Sequence, residues 1–421
     1  MAPHPRFSAR SALSAALALL CAGCTSLSVS PPVPKPAMLS ASIPGFPGVR
    51  YGYDQTEADF IADYHSAMSA AQPDPKGVSV LALSGGGPNG AFGAGLLVGW
   101  TQRGDRPEFR VVTGVSTGAL AAPFAFLGPA YDDRLVRAYT KTHDSDIFIP
   151  HLARSFFRLL RVEALTDTSP LHQMLAKLVD QPLVDAVAAE HRRGRRLYVC
   201  THEIVTGRAV FWNLSAIAAS GRPESLALFR KVLVASAAVP IAFPPQHFEV
   251  ETPAGRFRET HVDGGLSRQV FLHLNGARSA LRSPPEGPLT PLTAYIIRNG
   301  RTRLDYDAIT PTLVPIALRT IEALISSEGV GDLHRIHAQT VAEQAAYRLA
   351  VIPDSFDLRH EGMFEPTYMR RLFDLGRERM LSGIAWQDSP PMSGTPQARP
   401  GSTLAPVAPA PPAPAPRAND Q

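Results

Sequence analysis

The chain has 421 residues, with 40 prolines, 32 glycines, three cysteines and a formal net charge of +4 at pH 7. Its 45% hydrophobic and 19% charged content describes a globular chain able to bury a sizeable core, and excludes a collagenous, coiled-coil or wholly disordered one. The small positive charge gives no reason to expect nucleic acid as a partner, which needs a concentrated basic face. Length alone suggests two to three domains at about 150 residues each. The prolines are unevenly placed, however, with ten between Pro390 and Pro416 and six between Pro31 and Pro47, so neither end has the composition of a folded domain.

At the N-terminus, Arg6 and Arg10 precede an apolar run over residues 11–22, followed by Gly23 and Cys24. A basic segment, an apolar stretch of about 7–15 residues and then small residues make a secretory signal. The run falls short of the roughly 20 residues that a membrane span requires. Leu20-Cys21-Ala22-Gly23-Cys24 resembles a bacterial lipobox, with Cys21 where leucine is usual. The resemblance implies that residues 1–23 are a lipoprotein signal peptide and that Cys24 carries lipid. With Thr25 rather than aspartate next, it implies anchoring in the bacterial cell envelope, at the outer membrane. The alternative is an ordinary cleaved signal. Residues 24–50 then form a Pro-rich tether. Only Cys200 remains, in the apolar run Leu197-Tyr-Val-Cys-Thr-His, as a small buried hydrophobe rather than a nucleophile.

Next, Val78-Ser-Val-Leu-Ala-Leu predicts a buried parallel strand and residues 90–100 a helix. A second strand is expected at 109–115, a helix at 119–127 strained by Pro123, and another at 170–179 after a cap at Asp167 or Thr168. Strands follow at 196–203, 209–213, 259–262 and 293–298, then a helical pattern over 306–350 and a helix at 366–381. Strands alternating with helices predict an α/β layered sheet. The Ala/Pro-rich tail, residues 388–421, cannot bury enough apolar surface to fold.

Three segments carry chemistry. The first, Ser84-Gly-Gly-Gly-Pro-Asn-Gly-Ala-Phe-Gly, follows the first strand directly. Consecutive glycines let backbone N–H groups approach an anion, and the next helix adds its positive end. Gly85, Gly87 and Gly90 also satisfy the dinucleotide spacing G-x-G-x-x-G, but Asp105 and Glu108 precede the second strand instead of closing it. The loop suits an oxyanion hole equally well, and the bland alternative is a tight turn without a ligand. The second segment, Gly114-Val-Ser-Thr-Gly118, closes one strand and opens a helix, the pattern of a nucleophile elbow. The third, His261-Val-Asp-Gly-Gly265, ends a strand with an aspartate that either projects into the same crevice as Ser116 or caps its own turn.

The three segments, in this order, resemble the patatin-like phospholipase family, which combines a Gly-rich oxyanion loop, a G-x-S-x-G serine and a D-G-G or D-G-A aspartate. The block Ala235-Ser-Ala-Ala-Val-Pro-Ile-Ala-Phe-Pro-Pro245 is similar to the family's Ser/Pro-rich stretch before that aspartate. The resemblance runs over about residues 77–298 and more weakly to Trp386. It implies an α/β fold of three α/β/α layers with a mainly parallel central sheet over residues 51–300, and a C-terminal helical extension packed on it over 301–387. It implies a serine acyl hydrolase cleaving carboxylic esters of lipids or phospholipids through an acyl-enzyme, with Ser116 as nucleophile and Asp263 as its base. Gly85, Gly86 and Gly87 would be the oxyanion donors, with Gly90, Gly114, Gly118, Gly264 and Gly265 supporting the turns. No cofactor is implied and no metal, the sequence having no H-E-x-x-H or EF-hand spacing. Many members carry Arg or Lys where this chain has Asn89, so a cation beside the loop is missing.

Two rivals belong to other classes. One is a Ser–His–Asp α/β-hydrolase esterase, its histidine drawn from His273, His334, His337 or His360. The other is a non-catalytic lipid-binding lipoprotein, to which the basic cluster Arg192-Arg-Gly-Arg-Arg196 could offer a headgroup contact if it is not a solvated loop.

Overall fold

Strands buried on both faces need apolar residues in unbroken runs, whereas half-buried ones need only every second residue; both kinds build the sheet of this protein. The computed structural model describes residues 30–52, 55–70, 77–150, 163–281, 290–303, 308–358 and 362–391. The expected signal, Cys24, the start of the tether and the tail beyond residue 391 lie outside the described residues.

The central sheet is built from β1 (Arg50–Gly52), β2 (Val78–Leu83), β3 (Phe109–Val115), β4 (Arg196–Glu203), β5 (Arg208–Asn213), β6 (Gln246–Thr252), β7 (Gly255–Asp263), β8 (Leu292–Arg298) and β9 (Ala346–Val351). Its spatial order is β1-β5-β4-β3-β2-β8-β9, with β7 pairing both β4 and β6. The run β4-β3-β2-β8-β9 is parallel throughout, and β1, β5 and β7 join antiparallel. The helices are α1 (Gln55–Ser69), α2 (Gly90–Arg103), α3 (Thr117–Leu127), α4 (Asp132–Thr140), α5 (Ser169–Leu178), α6 (Gln181–Arg192), α7 (Leu214–Ala219), α8 (Ser225–Ser236), α9 (Leu313–Ala342) and α10 (Pro366–Leu381), besides single turns.

Alternate strand residues feed two cores. Leu81, Leu83, Val112, Leu197 and Val199 pack with Phe92 and Leu96 of α2, Phe124 of α3, Phe229 of α8 and Leu372 of α10. Val80, Ala82, Val111, Val115, Tyr198 and Cys200 pack on the opposite face with Phe60, Tyr64 and Met68 of α1 and Leu333 and Ile336 of α9. The result is the expected three-layer α/β/α arrangement around a mostly parallel sheet. Helix α10 lies on α2 through bare backbone: a Cβ on Gly95 would sit 1.9 Å from the Phe373 carbonyl oxygen, and one on Gly376 2.2 Å from that of Phe92.

The structure departs from the sequence reading in two places. Residues 301–387 are not purely helical, because Ala346–Val351 is an edge strand whose residues pair one for one with β8 from Thr293↔Ala346 to Arg298↔Val351. Tyr347, Leu349 and Val351 face one core and Ala350 the other, a period of two inside a stretch read as period 3.6. Nor are the described residues of the tether a free linker. Val33, Ile43, Phe46 and Val49 are buried in the core, Ser42 pairs with Glu251 and Pro32 with Arg258, and the prolines only interrupt regular structure. Helices α1, α4, α6, α7 and α8 and strand β6 are further elements that the sequence reading does not place.

Candidate active site

Strand β4 brings two distant turns together. Along one of its edges β3 pairs as far as Val115↔Cys200, and β7 takes over at the next residue, Asp263↔Thr201. The two strands therefore meet end to end, and the turns that leave them, Ser116-Thr-Gly and Asp263-Gly-Gly, occupy one spot.

Ser116 has φ 54° and ψ −125°, a left-handed conformation costing about 1–3 kcal/mol for a residue with a side chain. The surroundings enforce it. Its N–H donates to Ser236 Oγ at 3.0 Å, and Ser236 Oγ donates to the Cys200 carbonyl at 2.7 Å. Its own carbonyl accepts from Ala119 at 2.9 Å and Leu120 at 3.1 Å, the first turn of α3. The flanking glycines are demanded by space: a Cβ on Gly114 would lie 2.5 Å from the Gly118 oxygen, and one on Gly118 2.3 Å from the Leu83 oxygen.

Asp263 is 2% exposed. One oxygen, Oδ1, accepts from the Gly265 N–H at 2.8 Å. The other, Oδ2, has no hydrogen-bond partner among the described residues. Burial pushes the carboxyl up to about 6, held back from rising further by the Ser116 hydroxyl beside it and by the Gly265 N–H. Gly264 lies flat against β4, where a Cβ would come 2.3 Å from the Cys200 oxygen.

The glycine loop runs beside the serine, a Cβ on Gly85 falling 3.2 Å from Ser116 Cβ. Gly85 does not fit the donor role expected of it, because its N–H is spent on the Gln269 carbonyl at 3.0 Å. The Gly86 and Gly87 N–H groups make no hydrogen bond among the described residues, and both residues have positive φ, 151° and 55°. Gly86 presses on the end of β8, with 1.9 Å between an added Cβ and the Asn299 oxygen. Gly90 brings the start of α2 against Thr117, whose Oγ1 would lie 2.3 Å from an added Cβ. Asn89 Oδ1 accepts from the Tyr368 hydroxyl at 2.7 Å, so the residue in the expected basic position ties the loop to α10.

Several residues holding this site are not among the site residues that the sequence singles out. Ser236 and Ala238 lie in the Ser/Pro-rich block: Ser236 holds the elbow, and the Ala238 carbonyl accepts from the Asp263 N–H at 2.9 Å. The available signal is a serine inside the apolar run Val234-Ala-Ser-Ala-Ala, since a buried hydroxyl must find partners. Asn299 donates its N–H to Ser84 Oγ at 2.8 Å and its amide to the Ser84 carbonyl at 2.9 Å. Its Oδ1 accepts from the Gly93 N–H at 3.1 Å. A lone asparagine at a strand end offers no comparable signal.

The residues proposed for other chemistries lie elsewhere. His273 packs on Phe60 at 5.3 Å and His337 on Tyr347 at 5.1 Å. His334 is exposed on α9, and His360 is outside the described residues. No histidine hydrogen-bonds Asp263 among the described residues. Cys200 is fully buried, its thiol pushed up by desolvation. In the basic cluster Arg195 is 3% exposed, donating to the carbonyls of Phe109 and Phe126, and Arg196 pairs with Asp63 at 2.8 Å. Those two guanidiniums join secondary-structure elements inside the protein. Among the described residues, no group of three His, Cys, Asp or Glu side chains could hold a metal ion.

A family model for patatin-like phospholipase matches residues 81–274. These residues are a patatin-like phospholipase domain. Among solved structures, that of VipD from Legionella pneumophila is similar at 12% identity over 74% of this chain and 67% of that chain, with a TM-score of 0.30. No curated protein matches the sequence. The patatin-like domain supports lipid acyl hydrolase activity. The matched residues include Gly85–Gly87, Ser116, Ser236 and Asp263, and stop short of β8, α9, β9 and α10.

Proposed function

We propose that the protein hydrolyses carboxylic esters of lipids or phospholipids through a Ser116–Asp263 dyad. The observation that carries this reading is the open oxygen of Asp263, a buried carboxyl raised to about 6, beside the hydroxyl of a serine held at φ 54°. A serine hydroxyl is a weak nucleophile until a positioned base removes its proton. Above about pH 6 the Asp263 carboxylate takes that proton as Ser116 Oγ attacks the ester carbonyl. The negative charge moves to the carbonyl oxygen, where the unspent Gly86 and Gly87 N–H groups and the N-terminal end of α2 stabilise it. Asp263 returns the proton to the departing alcohol, leaving the acyl group on Ser116. A water that gives its proton to Asp263 attacks the acyl-enzyme, and Ser116 is regenerated with release of the fatty acid.

Ser116→Ala is expected to abolish ester hydrolysis and Asp263→Asn to lower it by about 10²–10⁴-fold, each with an unchanged circular dichroism spectrum. Full activity in Asp263→Asn would end the dyad reading. Lipid extracts incubated with the wild type, followed by product mass spectrometry, identify the acyl position and headgroup. The lipobox-like segment supports lipidation of Cys24 and anchoring at the outer membrane, with the hydrolase acting on esters of the membrane that holds it. Metabolic labelling with a fatty-acid analogue tests this, and label persisting in Cys24→Ala would refute it.

A further inference from the structure

Helix α9 lies outside the matched family domain, yet one of its carboxylates reaches the floor of the site. Asp332 is 1% exposed. Its Oδ2 accepts two backbone N–H groups, from Gln269 at 2.8 Å and Val270 at 3.2 Å. The carbonyl of the same Gln269 accepts the Gly85 N–H at 3.0 Å. Gln269 is thus fixed at its donor by Asp332 and at its acceptor by the glycine loop. Its side chain is fixed as well, Oε1 accepting from Arg298 Nη1 at 2.7 Å, while Arg298 Nη2 reaches the Ser326 carbonyl of α9 at 3.2 Å. The helix comes this close because residue 329 is glycine: a Cβ there would stand 1.7 Å from Gln269 Oε1 and 2.2 Å from Arg298 Nη1. Around the carboxylate, Arg335 of α9 pairs with Oδ1, Arg268 approaches it to 3.9 Å, and Glu328 pairs with both arginines at 3.1 and 3.4 Å.

We infer that Asp332 is a positioning residue for ester hydrolysis: by clamping the Gln269–Val270 backbone it aims the Gln269 carbonyl at Gly85, and so sets the direction in which the Gly86 and Gly87 N–H groups face the oxyanion. This rests on the Ser116–Asp263 reading given above. A hydrogen-bond donor misaligned by a fraction of an ångström loses most of its effect on a developing charge, whereas the ground-state ester, with little charge on its oxygen, feels the change far less. The consequence belongs to kcat rather than to KM.

The test compares a soluble oxoester with the thionoester in which the carbonyl oxygen is sulfur, a weak acceptor that draws little from oxyanion donors. The full-length wild type turns over the oxoester faster. In Asp332→Asn, kcat for the oxoester is expected to fall by roughly tenfold or more with KM little changed, and the oxo-to-thiono ratio to narrow by a similar factor. Loss of packing alone would lower both rates together, so an unchanged ratio overturns the inference. Asp332→Glu, which keeps the charge but lengthens the arm by one methylene, is measured in the same way should Asp332→Asn not fold. Ser116→Ala separates the two levels: if it retains turnover, the dyad itself is wrong, whereas an inactive Ser116→Ala with an unaltered ratio in the Asp332 variant removes only the positioning role.

Discussion

Asp263 and Asp332 are two carboxyl groups in nearly the same electrostatic situation with different work to do. Each is buried, and desolvation raises each to about 6. A search for displaced proton affinities would nominate both. What separates them is the state of their oxygens. At the end of β7, Asp263 offers a lone oxygen beside Ser116. On α9, Asp332 has one oxygen taken by two N–H groups and the other by Arg335. A base needs a vacant acceptor facing its proton, whereas a clamp needs both acceptors filled. The free oxygen, rather than the displaced pKa, marks the proposed base.

The largest expected effect tests that contrast directly. Asp263→Asn removes the base and leaves the oxyanion donors in place, so oxoester and thionoester rates should both fall, by about 10²–10⁴-fold if Asp263 acts as general base, with their ratio preserved. Asp332→Asn should change the ratio instead. If both variants changed the ratio alike, the distinction between base and clamp would collapse. In the wild type, kcat/KM should rise as pH passes through about 6, where Asp263 ionises. A pH profile flat between 5 and 7 would reject Asp263 as the titrating base.

Stability offers a second and smaller contrast. Asp263 rises from an ordinary 3.8 to about 6 in the folded protein, so the native state binds its proton more tightly than the unfolded chain does. The contribution of Asp263 to stability is therefore fully present below about pH 4 and is lost as pH climbs through about 6, a decline of about 3 kcal/mol. An amide in place of this carboxyl cannot ionise and escapes that decline. The melting temperature of Asp263→Asn should thus approach that of the wild type near pH 4 and exceed it at pH 7 to 8. Equal melting temperatures at pH 8 would mean that the carboxylate is better solvated than its 2% exposure suggests.

How far the sequence could reveal this follows from where each signal resides. Strands β2 and β3 stand out as apolar runs, and Ser116 and Asp263 belong to short motifs whose glycines are required by contacts of 2.3–2.5 Å, as at Gly114, Gly118 and Gly264. The residues that hold those motifs in place are remote. Ser236 is 120 positions from the nitrogen it binds, and Asn299 is 215 positions from Ser84. Such pairings are created by the order of strands in the sheet, which no local window contains. Strand β9 is hidden for a related reason: Ala346-Tyr-Arg-Leu-Ala-Val follows closely on α9, and only its register with β8 makes it a strand. Gly85 reads as an oxyanion donor because a run of glycines does not reveal which N–H a neighbouring carbonyl has already claimed.

The smallest prediction concerns the opposite side of the glycine loop. Tyr368 on α10 donates to Asn89 Oδ1 at 2.7 Å, a second attachment that superficially parallels the clamp made by Asp332. The two differ in what they constrain. Asn89 comes after the N–H groups that face the oxyanion, and its own N–H already donates to the Gly86 carbonyl at 3.1 Å. Asn89 is only half-buried, so water can replace the phenol. Tyr368→Phe should therefore cost about 0.5–1.5 kcal/mol of stability and leave the oxo-to-thiono ratio at its wild-type value. A narrowed ratio in Tyr368→Phe would show that any loosening of the loop disturbs the oxyanion donors, and Asp332 would lose its claim to a particular role.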